Sequence, residues 1–157
     1  MRTAVLPMRR STHENAMHDQ PDDSTAPGDS APALPSASEG LDAESLDRLR
    51  ELDPGGKSHL LERVFQAFET SLSRLMPQLL EARAAGDLAG IRHVTHTLKS
   101  SSASIGALRM AQLCAEIEHM IRQEAAAIDI LWPLIDQVHA ESTVVSRALV
   151  EALDDPA

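Results

Sequence analysis

His93 and His96 lie three residues apart in a segment that also holds Arg92, Lys99 and the serines Ser100, Ser101, Ser102 and Ser104. A neutral imidazole near pH 7 is a nucleophile that needs no separate base, and a neighbouring cation suits it to an anionic substrate. Phosphoryl transfer asks for little more, because it rests mainly on positioning and charge neutralisation. A metal and an acidic acceptor can then come from a partner. The same two histidines could instead chelate a metal together with His119 or His139, although no carboxylate accompanies them in sequence. Cys114 reads as a small buried hydrophobe, and His59, His119 and His139 as solvated or internally satisfied side chains.

The element that must hold this chemistry is a helix over about 88–105, ending at Gly106. At about 100° per residue, Leu88, Ile91, Thr95, Leu98, Ser102 and Ile105 fall on one face, and His96 lies about 140° from its centre. His96 is therefore expected to project into solvent at mid-helix, among Arg92, His93, Lys99, Ser100 and Ala103. None of the chain's acidic residues lies between Asp87 and Glu116, whereas Arg92, Lys99 and Arg109 do. That clearing suggests a surface meant for negative charge; a ring turned inward, or fenced off by acidic groups, would contradict it. Serine is a poor mid-helix residue. Ser101 and Ser102 are expected to let the protein's own helices approach, while Ser100 points outward beside His96.

The remaining pattern is helical throughout. Apolar residues recur at three- and four-residue steps over about 43–52, 58–85, 88–105, 107–124 and 130–152, without internal repeats or strand alternation. Asp42 is the expected N-cap of the first helix, with Leu41 packed on Leu46. The second carries the stripe Leu61, Val64, Phe65, Phe68, Leu72, Leu75 and Leu79, with a kink near Ser73 or a break expected from Pro77. Gly86 closes it and Asp87 caps the next. The fourth carries Leu108, Leu113, Ile117 and Ile121; the fifth carries Leu131, Leu134, Ile135, Val138, Val145 and Leu149. Short connections favour antiparallel neighbours. The expected fold is all-α: an antiparallel up-down four-helix bundle with a short extra N-terminal helix, its core aliphatic apart from Phe65, Phe68 and Trp132. Residues 1–40 hold Pro7, Pro21, Pro27, Pro32 and Pro35 and no apolar periodicity. They read as a disordered tail or linker before a domain at 41–157.

Composition removes several alternatives. The 157 residues carry 14 Lys+Arg against 24 Asp+Glu, a formal charge of −10, which offers no basic field for nucleic acid. No apolar run approaches the roughly 20 residues that span a bilayer, and the N-terminus lacks the apolar stretch of a secretory signal. One cysteine excludes an internal disulfide or a multi-Cys zinc site. A cytoplasmic monomer is expected, and the initial Met favours a stand-alone chain.

The run His96-Thr97-Leu98-Lys99-Ser100-Ser101-Ser102-Ala103-Ser104-Ile105-Gly106-Ala107 resembles the His-x-Leu-Lys-Gly-Ser-(Ser/Ala)-x-x-(hydrophobic)-Gly-Ala signature of histidine-containing phosphotransfer (HPt) domains of bacterial two-component phosphorelays. The resemblance covers about 41–125, including Phe65, Phe68, Gly86-Asp87-Leu88 and Leu113 to Glu118, and weakens afterwards. It implies that His96 accepts a phosphoryl group from a receiver-domain phospho-aspartate and passes it to another receiver, within a relay fed by a hybrid sensor histidine kinase. It further implies that Lys99 neutralises the phosphoryl group, that Gly106 makes the turn after the helix, and that Arg92, His93, Ala103 and Gly106 border the docking surface. No cofactor belongs to the chain itself, and Mg²⁺ is expected on the receiver. Ser100 stands where the family usually has Gly, and its hydroxyl could donate to a phosphoryl oxygen. No Gly-rich phosphate loop or kinase ATP-lid motif is present, so self-phosphorylation is not expected. The rival is a non-phosphorylated helical module that binds or inhibits a kinase or receiver.

Overall fold

Polar caps and glycines set the ends of the elements. In the computed structural model, which describes residues 39–123 and 128–155, five helices follow one another: α1 (Ala43–Glu51), α2 (Leu60–Ala85), α3 (Leu88–Ile105), α4 (Leu108–Arg122) and α5 (Ile128–Asp154). Residues 1–38, which hold most of the expected tail, lie outside the described residues. Asp42 caps α1, its carboxylate accepting from Ser45 N at 2.9 Å, and Leu41 and Leu46 are both buried. Asp87 caps α3 through Gly90 N at 3.0 Å. For α2 the cap comes from further away: Asp53 Oδ2 accepts from Ser58 N and Leu60 N, both at 3.1 Å, which delays the helix to residue 60. Gly86 (φ 67°) and Gly106 (φ 83°) end α2 and α3 in the left-handed conformation.

Pro77 does not break α2. It sits on the exposed side, as does Ser73, whose carbonyl would have received the missing N–H, so water can satisfy that group.

Helices α2 to α5 close a ring in which each packs on its two neighbours, α3 most extensively on α4, with α1 laid across α2 and α3. The two-residue links Gly86-Asp87 and Gly106-Ala107 force the antiparallel arrangement. The expected all-α up-down bundle with a short leading helix is the observed one, and no strand occurs among the described residues. Its core includes Phe65, Leu75, Leu79, Ile91, Leu98, Ile105, Met110, Ile117, Leu131 and Ile135.

Three expected core residues lie outside. Leu88 and Leu108 are exposed because each is the first residue of its helix, where a side chain leaning toward the N-terminus overhangs the end of the bundle. Trp132 is 42% exposed, one residue off the Leu131–Ile135–Val138 stripe, and lies against Arg83, whose guanidinium is 5.2 Å from the ring centroid. Val94, Met76, Met110 and Cys114 fill the interior instead.

Candidate functional site around His96

Two serines of α3 are held in mid-helix by hydroxyls that bond back to their own helix, whereas the buried Ser102 hydroxyl has no hydrogen-bond partner among the described residues. Ser101 Oγ donates to Thr97 O at 3.1 Å and Ser104 Oγ to Ser100 O at 2.9 Å. Ser102 is fully buried, in keeping with a close approach of helices. Ser100 is exposed, and its hydroxyl lies 3.4 Å from His96 O, turned toward the helix backbone and not toward the ring.

That rigid helix presents His96 to solvent at mid-length. The side chain is 67% exposed, opposite the buried face of Ile91, Val94, Thr95, Leu98, Ser102 and Ile105. Ala89, Arg92, His93, Ser100 and Ala103 share the exposed face, and Ala89, Arg92 and His93 line a shallow depression beside the ring. Gly106 does not belong to this surface. It is buried about 15 Å further along the helix axis, where a Cβ would come 2.7 Å from Ser45 Cβ, and its carbonyl accepts from Asp42 N at 2.8 Å. It makes the expected turn and seats α1; the expectation that it borders a docking surface is corrected.

A carboxylate does reach the ring. Glu118 of α4, 22 positions from His96 in sequence, is 1% exposed, and its Oε1 lies 2.8 Å from His96 Nδ1. Its Oε2 pairs with Lys99 Nζ, and Arg122 Nη2 stands 3.9 Å away. The surroundings of the imidazole are therefore cleared of acidic groups in sequence but not in space. This carboxylate does not fence the ring off: it lies beneath the surface, on the Nδ1 side, with its charge met by Lys99. Burial pushes the Glu118 carboxyl upward, but the hydrogen bonds from Lys99 and His96 and the Lys99 charge outweigh this and hold it below the ordinary carboxylate range. An ionised Glu118 accepts a proton-bearing Nδ1, which fixes the neutral tautomer with its lone pair on Nε2. Among the described residues nothing hydrogen-bonds Nε2.

Lys99, to which the family resemblance assigns neutralisation of a phosphoryl group, is in this state tied to Glu118. Glu118 escaped notice as a functional residue, although one signal was available. Met110, Cys114 and Glu118 fall at i, i+4 and i+8 on the buried stripe of α4, where a carboxylate needs a partner. His93 is exposed with no described side-chain partner. His119 and His139 are exposed on α4 and α5, and among the described residues no three His, Cys, Asp or Glu side chains converge as metal ligands, so the chelate is not assembled. Cys114 is buried, and burial pushes its thiol up to about 12.

The Hpt domain family model matches residues 63–155. The chain belongs to the Hpt domain family. The match runs through α5, well past residue 125 where the sequence resemblance fades. The structure is also similar to the crystal structure of histidine-containing phosphotransfer protein B (HptB) from Pseudomonas aeruginosa PAO1, with TM-score 0.57 and 26% identity, covering 76% of this chain and 99% of that one. No curated protein matches the chain. Hpt proteins carry phosphoryl groups in phosphorelays, where they meet receiver domains and kinases, and are not themselves kinases; a histidine phosphotransfer role follows for this chain. None of its described helices is long and apolar enough to cross a membrane.

Proposed function

We propose that His96 is the phosphoryl-accepting residue and that the protein works in the cytoplasm as an intermediate between receiver domains. The observation that carries this is the Nδ1–Glu118 contact on a ring two-thirds exposed. Nε2 attacks the phosphorus of a receiver's aspartyl phosphate: the N–P bond forms, the P–O bond breaks, and its electron pair leaves with the aspartate carboxylate. The ring keeps Nδ1–H and becomes cationic, a charge that Glu118 stabilises at the moment it develops. The reverse sequence delivers the group to a second receiver. Mg²⁺ belongs to the receiver, and the original donor is a hybrid sensor kinase, since the chain has no ATP-binding motif. Arg92, His93, Ser100 and Ala103 border the docking face, where small side chains at 100 and 103 let a partner come close.

Incubation with a phosphorylated receiver and Mg²⁺ should place an acid-labile, base-stable phosphate on the chain. His96→Gln should abolish it and His93→Gln should retain most of it. The opposite pattern would overturn the assignment, and receiver binding without any label would favour a non-phosphorylated interaction module.

A further inference from the structure

The buried carboxylate has a second cation within reach that the transfer scheme leaves idle. Arg122 lies one turn along α4 from Glu118, its side chain 55% exposed and its Nη2 3.9 Å from Oε2. Lys99 holds that same oxygen, while Oε1 is taken by the ring. A phosphoryl group on Nε2 brings nearly two further negative charges to the site. Lys99 cannot meet both those oxygens and Glu118 at full strength, and a buried carboxylate left without its cation is costly to keep ionised. Cys114, the other titratable neighbour of Glu118, is a buried thiol and supplies no positive charge.

We infer that Arg122 is a positioning residue that takes over Glu118 Oε2 when Lys99 turns to the phosphoryl oxygens, so that the carboxylate stays paired and the ring stays held throughout transfer. The inference rests on His96 being the acceptor. The gap to close is about 1 Å beyond a charge-assisted hydrogen bond, which a half-exposed arginine covers by a rotamer change.

The full-length chain, phosphorylated by phosphoramidate so that no docking partner enters, tests this with Arg122→Ala and Arg122→Lys. Before phosphorylation, Arg122→Ala should keep the unfolding midpoint and the His96 ring ¹⁵N signals of the unaltered chain, because Lys99 still pairs with Glu118. Phosphorylation of that variant should be about fivefold slower, with Arg122→Lys recovering most of the loss. The Lys99 ammonium ¹⁵N signal should shift on phosphorylation of the unaltered chain and stay put in Arg122→Ala. A rate within twofold, a Lys99 signal indifferent to phosphorylation, or ring signals already altered before it would each overturn the handover. An unaltered chain that takes no phosphate on His96 would sink the acceptor assignment itself, whereas a labelled His96 indifferent to Arg122 would sink this inference alone.

Discussion

Glu118 draws together the His96 ring, Lys99 and Arg122, so its removal tests the proposed transfer step directly. Glu118→Gln leaves a weaker acceptor for Nδ1–H and no charge to oppose a developing imidazolium, so phosphotransfer to His96 should slow roughly tenfold or more, as followed by single-turnover labelling. Lys99→Ala should slow transfer too. Because Arg122 can take over the buried carboxylate, that variant should lose less than about 1 kcal/mol in denaturant unfolding, whereas Lys99→Ala combined with Arg122→Ala should lose about 1–3 kcal/mol. The Glu118 carboxyl lies below its ordinary value of 4.5 in the folded state. A depressed pKa contributes stability that is fully present above the unfolded value and is lost as pH falls through the folded one. Urea midpoints measured at neutral pH and again below pH 4 should therefore drop more in the unaltered chain than in Glu118→Gln. An equal drop would remove this group from the acid sensitivity.

Among the elements, α3 depends on how it ends. Gly106 combines a φ of 83° with contact so close that a Cβ would sit 2.7 Å from Ser45 Cβ, whereas Gly55 has a similar φ of 80° with nothing within 4 Å. Gly106→Ala should cost roughly 2–4 kcal/mol and Gly55→Ala only about 1 kcal/mol, since the first adds a clash between α1 and the α3–α4 turn to backbone strain that both share. Equal losses in thermal or denaturant unfolding would show that α1 shifts to accommodate the methyl. The caps at Asp42 and Asp87 were legible because their partners lie three residues away. The cap of α2 was not, because Asp53 reaches Leu60 across a glycine-containing loop whose path no local rule specifies.

The whole bundle keeps its core and its site on opposite faces of α3, which separates the effects of mutation. Leu79→Ala, at a fully buried position of α2, should lower stability by about 3 kcal/mol while leaving the His96 phosphorylation rate within about twofold below the melting temperature. A comparable loss of rate would mean that packing of the core tunes the ring. Helix count, helix order and the exposure of His96 were all readable from the chain, because periodicity, caps and two-residue links act over a few residues and leave one economical packing. Trp132 was misplaced because a stripe defines which side faces inward but not where a large ring one position off it comes to rest. The Glu118–His96–Lys99 contact was decided only by tertiary structure. It depends on the axial register between antiparallel α3 and α4, fixed by side chains interlocking along their whole length, and no spacing within either helix encodes which carboxylate arrives opposite which imidazole.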